Sequence, residues 1–327
     1  MLPPPEETLV PIPPDRSLEQ LAETVRRAQD YAGRAKAPST VKAYSASWRD
    51  FTAWADAHAR AALPATPETV ALYLAAMAAR GAKPATIARR LVVISQAHKA
   101  TDLTSPTASS AVRRVHAGIR RTHGAAQKTK APALVGQIRT MVEQLPSSRL
   151  GLRDRALLLL GFAGAFRRAE LVGLDVRDLE FGSSGLVVTL RRSQTDQEGA
   201  GRRIGIPYGS TPLTCPVRAV QTWLATATIA EGPVFRAVDR FGRLQPGRLS
   251  DKAVALVVKR RARAVGLDPT LYAGHSLRAG LATSAAAAGA SERTIMSQTG
   301  HRSTEMVRRY IREGSLFRDN AAALVGL

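Results

Sequence analysis

The chain has 327 residues, 45% of them hydrophobic, which is enough for about two domains with a real core in each, and its single cysteine excludes an internal disulfide or a cysteine-rich zinc site. Lysine and arginine number 47 against 26 acidic residues, a formal charge of +21 that implies a polyanionic partner, nucleic acid being the commonest. No apolar run approaches the ~20 residues of a bilayer crossing, and the early prolines do not suit a signal-peptide core, so a soluble, cytoplasmic protein is expected.

Residues 1–16 (MLPPPEETLVPIPPDR) are proline-rich and mildly acidic, which predicts a disordered extension. Residues 17–122 predict a bundle of four or five helices. After a leading helix in SLEQLAETVRRAQDYAG, the side chains Val41, Tyr44, Trp48, Phe51 and Ala55 recur at steps of three and four behind Ser39 as N-cap. Thr66 caps the next helix, with Pro67 at its first position, and Gly81 ends it. Ile87, Leu91, Ile94 and His98 draw a third stripe, and Val112, Val115 and Ile119 a fourth. The opposite faces carry Lys42, Arg49, Lys83, Arg89, Arg90, Arg113 and Arg114. Each alone is an ordinary solvated charge; together they form a surface suited to DNA phosphates. Residues 123–131, within THGAAQKTKAPAL, have linker composition.

From residue 132 helices are expected at 134–145 and 154–165, the second so apolar (ALLLLGFAGAF) that it belongs at the centre of a core. The period then changes: GLVVTLRRS and RRIGIPYG flank QTDQEGAG as two strands around a glycine-bearing turn. Helices resume at 216–227, 250–265, 276–288, 291–298 and 303–312. The fold class is mainly α with a small antiparallel β-sheet, in two domains, 17–122 and 132–327.

Three polar clusters stand out in the second domain. FRRAEL places Arg167 three residues before Glu170, directly after the most apolar helix; a pair bracing the core edge is the structural alternative. HSLR places His275 and Arg278 at i and i+3 near a helix start, where both can meet one anion. GHRSTEMVRRYIR sets His301 just ahead of a helix that carries Tyr310 about two turns in.

In chain order these segments, with the hairpin RRSQTDQEGAGRRIGIP, resemble the tyrosine recombinases, the phage integrase family of Cre-like and Xer-like site-specific recombinases. The resemblance covers the whole second half, and it implies a SAM-like helical core-binding domain upstream of a mixed α/β catalytic domain. It further implies that Tyr310 attacks a DNA phosphodiester to give a 3'-phosphotyrosine, that Arg167 and Arg278 neutralise the phosphorane, that His275 takes the phenol proton, that His301 donates to the phosphate, and that Glu170 braces the arginine. A phenol with a pKa near ~10 needs such help. No metal or nucleotide cofactor is expected. The partners implied are double-stranded DNA and further copies of the chain, as a tetramer across two sites, with the apolar tail after Tyr310 as the docking segment. One position departs from the family: where the hairpin normally presents a lysine to protonate the leaving oxygen, this chain has Gln194, with Arg192 nearby as an alternative donor and Arg202 as a further DNA contact. An architectural DNA-binding protein of the same fold and a type IB topoisomerase-like enzyme stay open beside the recombinase.

Overall fold

The computed structural model describes residues 23–27, 30–31, 37–124, 129–191, 201–301 and 303–314. The chain divides into two compact units, Met1–Gln127 and Lys128–Leu327. Gln194, Arg192, the proline-rich extension and the tail from residue 315 lie outside the described residues.

The first unit contains α1 (Pro38–Ala57), α2 (Pro67–Ala79), α3 (Pro84–Lys99) and α4 (Ser110–His123). Ser39 does not cap α1: the helix begins at Pro38 behind Ala37, because proline's fixed φ fits the first helical position and its missing N–H is one that needs no partner there. Thr66 caps α2 as expected, its hydroxyl accepting from the Thr69 N–H at 3.1 Å. The stripes close on one core around Phe51, Tyr73, Leu74, Ile87, Ile94 and Val112, each burial worth roughly 1.5–3 kcal/mol for a large side chain. Val41 departs from its stripe and is exposed. His98 is buried in the service of main chain, its Nε2 accepting from the Ala65 N–H and its Nδ1 meeting the Ile94 carbonyl, both at 2.9 Å.

Lys42, Arg49, Lys83, Arg89, Arg113 and Arg114 are exposed. Arg90 differs from that expectation. It sits between Ile87 and Ile94 on the inward side of α3, with its guanidinium 3.3 Å from Asp50. Asp50 also accepts the Tyr73 hydroxyl at 2.5 Å, and burial, followed by that carboxylate, pushes the Tyr73 phenol up. Arg90 is thus committed to a half-buried network inside the bundle.

The second unit runs α5 (Val135–Glu143), α6 (Arg149–Ala163), α7 (Arg168–Gly173), β1 (Leu179–Gly182), β2 (Gly185–Leu190), β3 (Arg202–Pro207), α8 (Pro216–Thr226), β4 (Arg236–Val238), β5 (Leu244–Arg248), α9 (Asp251–Ala264), α10 (His275–Ala287), α11 (Glu292–Thr299) and α12 (Thr304–Gly314). Strands β1, β2 and β3 form one antiparallel sheet in that order, and β4 and β5 form a second. The expected hairpin is β2–β3, closing with Leu190 opposite Arg202. Neither β1 nor the β4–β5 pair was expected from sequence, since segments of three to five residues are too short to show a period of two. Helix α6 starts five residues before the expected position 154, behind Ser148, whose hydroxyl accepts from the Gly151 N–H. It carries the fully buried Asp154 into the core, where Arg153 and Arg261 each donate to it at 2.6 Å and tie α6 to α9.

The far end of the linker is attached to this unit. Ala131 N–H donates to Leu271 O at 2.8 Å and Ala133 N–H to Ser276 O at 2.9 Å. Gly280 of α10 permits this approach, because a Cβ there would collide with the Ala133 carbonyl.

Candidate active site

The site is built where α6 gives way to α7. After α6 the chain turns through Ala165, which takes a left-handed φ of 50°, an uncommon conformation for a residue with a side chain. The turn aims the Ala165 carbonyl at Arg278 of α10, whose Nη1 donates to it at 2.8 Å. Arg278 is 1% exposed, and its Nη2 has no partner among the described residues. Burying an unpaired donor is costly, and an acceptor that arrives with the substrate resolves the cost. Arg167 precedes α7. Its backbone N–H and its Nη1 both donate to Glu170, at 2.8 and 2.6 Å, so the nearly buried carboxylate holds the side chain and closes the helix start together.

His275 opens α10 behind Gly274, where a Cβ would run into the Arg168 side chain. Its Nε2 lies 3.1 Å from the Tyr310 hydroxyl. Tyr310 is buried, packed with Val307, Ile295 and Ala282 from α12, α11 and α10. The His301 ring is tilted against it at 5.8 Å between centroids. His301 Nδ1 meets the Thr299 hydroxyl at 2.7 Å, and that hydroxyl also lies 2.7 Å from the Ile295 carbonyl. The single hydroxyl proton serves one of the two. When it goes to Nδ1, the neutral ring carries its own proton on Nε2, the arrangement a phosphate oxygen at Nε2 favours.

Burial, then the charges of Arg278, Arg167 and Arg168, hold the His275 imidazole below its ordinary pKa, so it is neutral and able to accept the phenol proton. Burial and the same two site arginines, followed by His275 and Arg202, push His301 down to about 4. Arg278 itself is lowered to about 10, by burial first and by Arg167 next. An anionic phosphate among these groups opposes each of these shifts. Unfolded imidazoles titrate near ~6.5. On acidification below that value the unfolded chain therefore binds protons that the folded chain does not, and stability falls as pH falls. The melting temperature is expected to drop between about pH 7 and about pH 5, and to drop less in His301→Gln; identical profiles in the two proteins would contradict the assignment.

The structure thus brings Tyr310, His275, Arg278, Arg167, Glu170 and His301 together. Arg202, expected as a DNA contact, is half-buried near Arg167 and Glu170, with Nη1 donating to the carbonyls of Ser297 and Gln298 at 3.1 and 3.0 Å. The arginines adjacent to Tyr310 point elsewhere: Arg308 pairs with Glu292 at 3.1 Å and Arg309 donates to Thr129. Arg168 lies 3.7 Å from Asp251. Sequence reasoning missed Thr299 and the Ala165 carbonyl. It also missed Gln298, whose side chain donates to Ala163 O at 2.8 Å and Gly205 O at 3.3 Å. Only Thr299 carried a signal, as the hydroxyl two residues before His301.

The family model described as the phage integrase family matches residues 135–315. The Integrase/recombinase xerD homolog of Selenomonas ruminantium is 44% identical over 292 residues, covering 88% of this chain and 85% of that protein. Recombinase cre of Escherichia phage P1 is 28% identical over 284 residues, 81% of each. Among solved structures, XerH site-specific recombinase bound to a palindromic difH substrate in a post-cleavage complex has a TM-score of 0.58 at 14% identity, covering 80% of this chain and 73% of that one. A lambda integrase dimer bound to a COC' core site has a TM-score of 0.54 at 19% identity, covering 90% and 95%. These structures share the fold of this chain. With its second unit matched from residue 135 to 315 and a relative 44% identical along most of its length, the chain belongs to the phage integrase family, the tyrosine recombinases.

Proposed function

We propose that the protein is a site-specific DNA recombinase that breaks and rejoins duplex DNA through Tyr310. The observation that carries this reading is the 3.1 Å contact between the Tyr310 hydroxyl and His275 Nε2, in a pocket where the buried Arg278 keeps one nitrogen without a partner among the described residues. In the forward step the phenol oxygen bonds to phosphorus, the bond from phosphorus to the 5'-oxygen breaks, the phenol proton passes to His275, and the departing 5'-oxygen takes a proton from solvent to become a 5'-hydroxyl. Arg278 Nη2, the donors of Arg167 not held by Glu170 and His301 Nε2 receive the charge that grows on the non-bridging oxygens. The esterified tyrosine conserves the bond energy, and a 5'-hydroxyl from another strand reverses the step.

The exposed cations Lys42, Arg49, Lys83, Arg89, Arg113 and Arg114 of the first unit supply sequence-independent affinity for the DNA backbone. Recombination between two sites calls for several copies of the chain, and a tetramer is the assembly proposed. Its docking surface is an apolar groove of about 490 Å³ in the second unit, between Ile138, Phe162, Ile206, Ala285 and Ile295. The terminal stretch, with Leu316, Phe317, Leu324 and Val325, is the occupant assigned to it, from a neighbouring copy.

Trapping tests the chemistry. Protein incubated with fragmented genomic DNA, then denatured, is expected to retain a small set of fragments covalently, and sequencing them gives the target site. Tyr310→Phe should bind those fragments and retain none after denaturation; retention in the variant would place the nucleophile elsewhere.

A further inference from the structure

Arg202 opens β3, immediately after the hairpin tip, yet its guanidinium does not face outward. Nη1 has two hydrogens, and both are spent on the Ser297 and Gln298 carbonyls at the end of α11, groups that a helix terminus leaves without internal partners. The next residues turn sharply. Gly300 takes a left-handed φ of 64°, and a Cβ at that position would stand 2.7 Å from both Cζ and Nη1 of Arg202. The backbone therefore rides directly over the guanidinium plane, and only glycine allows it to. His301 is the next residue, with its ring held from the other side by Thr299. Gln298 fixes the same helix end to Ala163 and Gly205, so α11 is fastened to β3 twice.

From this contact we infer that Arg202 is a positioning residue: it clamps the C-terminus of α11 beneath Gly300 and so sets the reach of His301 toward the scissile phosphate. It also joins the base of the β2–β3 hairpin to the histidine side of the site. Leu190 pairs with Arg202 at the hairpin mouth, and on the other strand Arg191 is held by Asp175 and Asp178 at 2.9 and 2.8 Å. The guanidinium is too committed to carbonyls to serve as an ordinary DNA contact through Nη1.

This inference rests on His301 acting on the phosphate, and the test separates the two. Rates of covalent adduct formation on a nicked substrate carrying the recovered site are compared for wild type, Arg202→Met, His301→Ala and the double variant, with DNA affinity measured by gel shift. Loss of hydrogen bonds from a charged donor predicts that Arg202→Met slows cleavage by about 10- to 100-fold with affinity unchanged. The double variant should be no slower than His301→Ala, since both act through one ring. Arg202→Lys, which keeps a donor for the carbonyls, should recover part of the rate, and it carries the same cycle if Arg202→Met melts below the assay temperature. Independent effects that multiply in the double variant, or weaker DNA binding with an unchanged rate, would overturn the role given to Arg202. An unimpaired His301→Ala would instead remove the role given to His301 and take the positioning of that ring with it.

Discussion

Replacing Arg278 by lysine should slow formation of the covalent link by about 10²- to 10³-fold, the effect of losing one preorganised donor to a developing oxyanion, while DNA affinity stays near that of the wild type. Two features of the site make lysine a poor substitute. The guanidinium points two ways, with Nη1 held by the Ala165 carbonyl and Nη2 without a partner among the described residues, whereas an ammonium is a point donor that cannot hold both directions in one plane. The same burial that lowers an arginine to about 10 acts on a side chain whose ordinary pKa is already about 10.4, so a lysine there is driven toward its neutral form. Single-turnover cleavage of a nicked suicide substrate measures the effect. A variant that cleaves at the wild-type rate would show that the buried nitrogen does not meet the phosphate.

Gln194→Lys should act in the opposite direction. Cleavage expels a 5'-alkoxide, a poor leaving group without a proton, and an amide side chain has none to give at neutral pH. A positioned general acid contributes typically 10²- to 10⁴-fold, and the variant is expected to gain a rate increase of about that order on ordinary DNA. Position 194 lies three residues beyond Arg191, a reach of at most about 10 Å from a residue pinned by two carboxylates. A substrate whose bridging 5'-oxygen is replaced by sulfur offers the sharper comparison, because a thiolate leaves without a proton. There the two proteins should cleave alike. Equal rates on the oxygen substrate would mean that another donor already serves the leaving group.

The residues proposed to carry the chemistry were legible because each stands beside a boundary that the sequence marks. Arg167 follows an apolar run that has to end, His275 opens a helix, and His301 sits between a glycine and the next helix start. What composition could not tell was which cations face inward. Arg90 and Arg202 read as surface charge, yet one lies between Ile87 and Ile94 against Asp50 and the other beneath Gly300. The spacing of Arg90 within its own apolar stripe was the available sign; Arg202 offered none, since its partners are main-chain carbonyls from a distant helix. The arginines that stand beside Tyr310 in the sequence are not the ones that gather near it in the fold. Helical geometry sends Arg308 toward Glu292 and Arg309 toward Thr129, and the cation whose charge is coupled to the phenol is Arg278, which folds in from a separate segment. Ala165 could not be found at all, because an apolar residue acting through its carbonyl leaves no mark in composition.

The strip from Thr129 to Ala133 has a practical meaning for grafting. Although its composition suggests a dispensable tether, its amides bond to Leu271 and Ser276 and its carbonyl at Ala133 fills the space left by Gly280, one turn from His275 and Arg278. A chimaera that gives this enzyme a new target-recognition module is therefore best joined upstream of Thr129. A splice made a few residues later would strip the helix bearing His275 and Arg278 of its edge, and the hybrid would lose strand exchange for a reason unrelated to its new DNA specificity.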